Sequence, residues 1–211
     1  EYDLKEAVSL IKSLSSVKFD ESVDMAINLG VDPRHADQLV RGTVSLPNGT
    51  GKNIRVIVVA KDDDKINKAK DAGADESGFE ELLDKIEKGW IGFDVMIATP
   101  DVMAQVAKLG KILGPRGLMP NPKTGTVSDD VATAVNNVKA GQVRFRTDKN
   151  GIIHGSIGKV SFDVTKLQTN ATALIDEVKK LKPASAKGIF IGSIALSSTM
   201  GPGIKIHASE L

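Results

Sequence analysis

The chain has no cysteine among its 211 residues. That removes disulfides, zinc ribbons and thiol nucleophiles together and fits a reducing compartment, the cytosol in the plain case. No run of about 20 apolar residues is present, so no stretch reads as a membrane-spanning helix, and the chain does not open on a basic-then-apolar secretory signal. The three histidines, His35, His154 and His207, are far apart and lack a cysteine or carboxylate at metal-ligand spacing; they read as surface or structural residues. Charge of one sign is also scarce. The formal net charge is +1, too small for a protein that coats nucleic acid by bulk electrostatics. No poised nucleophile, general base or metal cluster emerges, and no cofactor is implied.

What is present suffices for one generous core or two modest ones, since 41% of the residues are apolar. The charge is unevenly spread. Residues 142–211 carry 10 Lys and Arg against 5 Asp and Glu, whereas residues 1–49 carry 5 against 8 and residues 50–141 carry 13 against 14. A basic carboxy-terminal third points weakly to a polyanionic partner, because charged runs are more often solvated faces. The most unusual stretch is Leu113 to Val127, with Pro115, Pro120 and Pro122 and a Pro122-Lys123-Thr124 triplet separated from Gly117 by four residues. Its spacing approaches a phosphate-binding loop, but proline stands where the second glycine belongs, Pro120 and Pro122 remove backbone donors, and no helix opens at Thr124. It reads as a structured loop that does not hold a nucleotide.

Along the chain, Asp3 caps a helix with Leu4, Ala7, Val8, Ile11 and Leu14 on its apolar face, ending near Ser15. Val23, Met25, Ile27 and Leu29 alternate with polar residues as a half-covered strand closed by Gly30; Asp32-Pro33 opens a short helix or turn, and Thr43–Leu46 forms a second strand. After Pro47-Asn48-Gly49-Thr50-Gly51 the pattern changes. Ile54–Ala60 and Phe93–Ala98 are nearly continuous apolar strands of the parallel, doubly covered kind. Helices are expected from Asp64 to Ala72, Glu80 to Lys88, Pro100 to Leu109 and Asp129 to Ala140. Asp62-Asp63-Asp64 is a solvated cap sooner than a cation site. Gly49-Thr50-Gly51-Lys52 precedes its strand, the wrong order for a phosphate turn.

Beyond Gly141 the half-covered style returns: Val143 and Phe145 alternate with Arg144 and Arg146, and Asp148-Lys149-Asn150-Gly151 is a hairpin turn from which Ile152–Ile157 pairs back. A helix over Thr165–Leu181, a strand over Ile189–Ser197, a tight loop and a last strand over Ile204–His207 complete the chain. The fold class is α/β plus α+β: a discontinuous α+β domain near 1–48 and 142–211, with an α/β domain, 50–141, inserted at glycine-bearing crossings.

Taken together, Leu113–Val127, Lys18-Phe19-Asp20, Gly42-Thr43-Val44-Ser45-Leu46-Pro47, Ala98-Thr99-Pro100-Asp101 and Thr199-Met200-Gly201 resemble the bacterial form of the L-one family of large-subunit ribosomal proteins, over essentially the whole chain. The resemblance implies a split RNA-binding domain with an inserted Rossmann-like three-layer domain. It implies a monomer within the mobile stalk of the large subunit, without enzymatic activity, that binds large-subunit ribosomal RNA. It further implies help in releasing deacylated tRNA from the exit site and repression of its own messenger RNA by binding a similar structure there.

Position by position, the implied RNA-binding residues are Lys18, Phe19, Ser22, Asp24, Ser193, Thr199, Met200 and Gly201, with Arg146 and Lys159 as phosphate partners. Arg34, Arg41 and the Lys149 hairpin are implied tRNA contacts, with plain solvated loops the equal alternative, and Arg116 and Lys123 are secondary contacts to RNA or tRNA. Asp24 stands where the family often has glutamate, and Gly192 where lysine or arginine is common. Read alone, Met200 and Phe19 would be core residues and Thr199 a turn residue, while Gly201 would leave its N–H exposed. The rival class is a nucleotide-dependent enzyme built on the inserted domain; a free-standing translational regulator is a third.

Overall fold

Asp3 accepts a hydrogen bond from the Leu4 N–H at 2.7 Å and starts the first helix, α1 (Leu4–Leu14). In this computed structural model, which describes residues 1–35, 37–186 and 188–207 and not the side chain of Lys123, α1 buries Leu4, Ala7, Val8 and Ile11. Leu14, expected on that face, is 45% exposed because the helix ends there and turns away. The strand β1 (Ser22–Leu29) alternates as its pattern demands, with Val23, Met25, Ile27 and Leu29 inward. Asp32-Pro33 makes a turn, not a helix: Asp32 takes the Arg34 N–H and side chain, and the segment runs into β2 (Arg41–Ser45).

The chain divides into two compact units, Glu1–Lys52 with Gly141–Leu211, and Asn53–Ala140. The second unit opens on β3 (Val56–Val59), buried at every position, then α2 (Asp63–Asp71), β4 (Glu76–Gly78), α3 (Glu80–Glu87) and β5 (Val95–Ala98). The sheet is parallel in the order β4-β3-β5. Ile57, Val59, Met96 and Ala98 face one apolar layer, and Val56, Val58, Val95 and Ile97 face the other. The helix expected from Pro100 is broken into 3₁₀ turns at Pro100–Val102 and Ala107–Leu109 and two short helices, α4 (Met103–Val106) and α5 (Gly110–Leu113). α6 (Val131–Lys139) closes the unit. Between α5 and α6 the proline-rich loop is fixed from within. The buried Thr126 hydroxyl accepts from the Asn121 N–H at 2.9 Å, and the Thr126 carbonyl accepts from the Ala98 N–H at 3.0 Å, which docks the loop beside β5.

Returning to the first unit, β6 (Gln142–Arg146) and β7 (Ile152–Lys159) are joined by the turn that the sequence announces: Asp148 accepts from the Asn150 and Ile152 N–H groups at 2.8 and 2.9 Å, and Gly151 has φ +82°. The two strands do not form an extended ladder, however. β6 pairs with β2 as a two-stranded ribbon, while β7 joins a larger sheet, leaving only the Thr147–Ile153 bridge between them. α7 (Val164–Lys180), β8 (Ile191–Ser198) and β9 (Ile204–Ile206) follow. The larger sheet is antiparallel in the order β7-β1-β8-β9, with α1 and α7 packed on one face around a single apolar cluster. The exit of the chain toward the second unit is pinned from this core. Buried Asn170 donates to the Gly49 and Ile157 carbonyls at 2.9 and 2.7 Å and accepts the Asn48 N–H at 3.1 Å.

Candidate nucleic-acid interface

With α1 and α7 on one face of the four-stranded sheet, the alternation leaves the other face to Ser22, Asp24, Ala26 and Asn28 of β1, Ser193, Ala195 and Ser197 of β8, and His154 and Ser156 of β7. In register, Asp24 lies between Ser156 and Ser197, and Asn28 is opposite Ser193. Apart from His154, this face has small side chains and one carboxylate, with no Phe, Tyr or Trp among the described residues, so another backbone can approach it closely.

At the Ser22 end two irregularities aim side chains at this face. The ladder between β1 and β7 slips by one residue beside Gly158, whose φ is +152°. A one-residue slip exchanges inward and outward positions, so Lys159 takes the outward place opposite Ser22. Its ammonium donates to the Ser22 hydroxyl at 3.1 Å and the Asp20 carbonyl at 3.3 Å. Asp20 in turn holds Ser161 through its N–H and hydroxyl. On the β8 side, the next backbone pair after Val23 and Ser198 is replaced by a side chain. The Thr199 hydroxyl accepts the Ser22 N–H at 3.1 Å and lies 3.4 Å from the Ser22 carbonyl.

Glu21 lies beneath this junction. It continues the inward phase of β1 and is 1% exposed. One of its carboxylate oxygens takes the Ser15 hydroxyl at 2.5 Å, and the other takes the Met200 N–H at 2.8 Å. The Ser15 hydroxyl, then the Met200 N–H, hold its carboxyl below the ordinary 4.5, with the Ser198 hydroxyl adding to them and burial opposing. The turn itself closes when the Gly201 N–H donates to the Ser198 carbonyl at 3.3 Å. That N–H is therefore engaged, not exposed, and a Cβ at this position would stand 2.3 Å from the Ser198 hydroxyl, which would have to turn out of its place. The result is that Met200, 71% exposed, and Phe19, 54% exposed, stand out of the core. Exposed Lys18 adjoins Phe19.

Eight of the sequence-predicted RNA residues thus gather at one end: Lys18, Phe19, Ser22, Asp24, Lys159, Thr199, Met200 and Gly201. Ser193 lies at the opposite end of the same face, about 20 Å away at the rise of a strand. Arg146 belongs to the β2–β6 ribbon, directly opposite Arg41. Lys149 is on the neighbouring turn, and Arg34 is forked onto Asp32, whose carboxyl this lowers to about 2. Arg116 is exposed in the second unit, and the Lys123 side chain lies outside the described residues. Glu21, Ser198 and Ser161 are missing from the sequence-predicted set. The signal for Glu21 was available: a carboxylate in the inward phase of a strand needs internal donors.

A second place for a ligand in an open parallel sheet is the carboxyl end of its strands, where chain direction switches between β3 and β5. Here the protein's own carboxylates take the positions a phosphate would use. Asp62 accepts the Asp64 N–H at the start of α2, Asp130 accepts the Thr133 N–H at the start of α6, and Lys65 is paired with Asp129 at 2.9 Å. The three histidines each lie near a carboxylate at the surface, and no group of three or more metal-ligating side chains occurs among the described residues.

A small-residue sheet face with a clasped, apolar-tipped turn at its end suits a protein that recognises RNA by shape and close approach. The sequence model of the Ribosomal protein L1p/L10e family matches residues 10–202, and the chain belongs to that family, in its bacterial form. It is similar to proteins called large ribosomal subunit protein uL1: 59% identical to that of Chlorobium chlorochromatii over 100% of this chain and 91% of the relative. It is also 58% identical to that of Pseudoalteromonas atlantica and 57% to that of Chlorobaculum tepidum, each over 100% of this chain and 90% of the relative. The family is structural and non-enzymatic.

Proposed function

We propose that the open face of the β7-β1-β8-β9 sheet, with the turn Thr199-Met200-Gly201 at its end, is the surface by which the chain grips large-subunit ribosomal RNA. Family membership makes it a structural constituent of the large ribosomal subunit that binds ribosomal RNA, at work on the cytoplasmic ribosome. The observation that carries the assignment is the clasp: Glu21 and Ser22, on one strand, hold Met200 and Thr199, on the next turn, through 2.8 and 3.1 Å hydrogen bonds, leaving a thioether exposed. A polarizable side chain on a backbone already held in place, above a row of small residues, lies against a sugar or base with only its own rotamers left to order at the moment of binding. Near-neutral charge is compatible with this, because the contact relies on shape more than on counterion release.

The row from Ser22 to Ser193 gives the face the length of several nucleotides, so Ser193 meets a different part of the same RNA. A messenger that folds into a similar looped helix competes for this face, which is the basis of the proposed repression of the chain's own messenger. Arg34, Arg41 and Lys149 are the proposed contacts for deacylated exit-site tRNA during its release, and Arg146, a ribosomal-RNA partner by resemblance, is proposed to serve the tRNA instead because it lies opposite Arg41 on the same ribbon; Arg116 and Lys123 are secondary ones.

The test is a calorimetric titration with a stalk fragment of large-subunit ribosomal RNA. Met200→Ala should weaken binding about tenfold, equivalent to 1.4 kcal/mol. Thr199→Val, which keeps the volume and loses both links to Ser22, should do at least as much with the circular dichroism spectrum unchanged. Unchanged affinity in both variants sinks the assignment.

A further inference from the structure

We infer that Glu21 is a positioning residue for RNA binding: its buried carboxylate sets the conformation of the Thr199-Met200-Gly201 turn and touches no RNA itself. The inference rests on the reading that this turn meets RNA. Among the described residues, Glu21 is the only carboxylate in the buried set. Its two oxygens bind partners from two different elements, Ser15 at the end of α1 and Met200 beyond β8. An acceptor at the Met200 N–H must come from somewhere, because that donor precedes a glycine turn whose own closing bond joins Gly201 to Ser198. Glu21 supplies it with full charge, and a charge-assisted hydrogen bond is about twice as strong as a neutral one.

The competing effect has the opposite sign, which makes the inference sharp. A negative charge below a polyanion-binding surface repels phosphate, by up to about a twofold loss of affinity for each phosphate 10 Å away in water. If charge were the whole of its influence, replacing Glu21 by the neutral, isosteric glutamine would tighten RNA binding and steepen its salt dependence. If Glu21 acts through the turn, the same change weakens binding and leaves the salt slope unaltered, because no counterion is released at a residue that never meets phosphate. Glutamine retains one carbonyl oxygen and offers an amide donor, so it serves Met200 or Ser15 but not both in the original geometry.

Four variants separate the possibilities in a titration with the stalk RNA fragment at several salt concentrations. Glu21→Gln should bind about fivefold more weakly, the worth of one ordinary hydrogen bond, with the parent's salt slope. Glu21→Ala should lose about 30-fold, as expected where a charged partner is removed. Ser15→Ala removes the other hydrogen bond of the same carboxylate and lowers the melting temperature, but leaves affinity within about twofold, because the Met200 contact survives. Amide hydrogen exchange at Met200 should accelerate in both Glu21 variants and not in Ser15→Ala. Met200→Ala is the reference for the underlying reading: if it binds RNA normally, that reading fails. If Met200→Ala binds weakly while Glu21→Gln binds as well as or better than the parent, the positioning role fails and the reading stands. Equal losses in Ser15→Ala and Glu21→Gln also overturn it, by assigning the effect to general stability. Should Glu21→Ala not fold, the sign for Glu21→Gln decides.

Discussion

A side chain added at Gly192 would have its Cβ 3.5 Å from the Asn28 carbonyl oxygen, an ordinary contact, and nothing in the backbone conformation there demands glycine. Gly192 occupies the irregularity between Asn28 and Leu29, exposed beside Ser193 on the proposed binding face. A cation is therefore absent from this position without structural need. Gly192→Lys should leave stability within about 0.5 kcal/mol. It should steepen the dependence of log affinity on log salt by about 0.7 to 0.9, one phosphate contact. An unchanged slope in a salt series would mean that the RNA path does not reach this bulge. Glycine means something else at Gly201, where a Cβ collides with Ser198. The two cannot be told apart in the sequence, because both are glycines near a strand end. Met200 and Phe19 raised the same difficulty: apolar residues belong in cores on composition alone, and only the hydrogen bonds around them show why they stand outside.

At the scale of elements, regular periodicity was legible and irregular pairing was not. α1, β1, β3, α2, α3, β5, α6 and α7 lie within a few residues of where apolar spacing and caps put them. β4 escaped notice because Glu-Ser-Gly carries no pattern; it is a strand only because parallel pairing with β3 makes it one. The break between α4 and α5 is a single 3₁₀ turn at Ala107–Leu109, which keeps the apolar spacing and so leaves no mark in a periodicity count. The turn at Asp148–Gly151 was plain, whereas the divergence of its two strands into separate sheets depends on partners more than 100 residues away. That divergence sets the ribbon of β2 and β6 apart with Arg41 and Arg146 side by side. Like charges directly opposite one another on a ladder are unfavourable, which a polyanion relieves. Arg146→Ala should consequently weaken binding of deacylated tRNA about fivefold, near 1 kcal/mol, while leaving stalk RNA within about twofold. Filter binding with both RNAs checks this, and an equal loss for both would merge the two surfaces into one.

For the whole molecule, the division at Lys52/Asn53 and Ala140/Gly141 leaves Glu1–Lys52 and Gly141–Leu211 with a complete apolar cluster. The two crossings are adjacent. The Leu46 N–H donates to the Gly141 carbonyl at 3.3 Å, and a Cβ on Gly141 would lie 2.5 Å from the Gly49 Cα. Replacing Asn53–Ala140 with a short glycine-serine linker should therefore give a folded protein that binds the stalk fragment within about tenfold, or 1.4 kcal/mol, of the parent. A folded protein of this kind that binds no RNA would move the main contact into the excised unit. The change from alternating to continuous apolar strands falls where one compact unit gives way to the other. The sharing of one face by residues as distant as Ser22 and Thr199 was not, since nothing local encodes the register that joins them.

The central place of β1 has a consequence for synthesis. Both of its neighbours, β7 and β8, lie beyond the second unit in the chain. When residues 1–52 leave the ribosome that makes them, β1 has no edge to pair with and α1 no sheet to cover. Asn53–Ala140, whose strands and helices are contiguous, holds all its own partners and completes its fold while the earlier segment waits. Residues 1–52 are made before their sheet partners and become structured only with them, and the proposed RNA surface is complete only when Thr199 closes on Ser22.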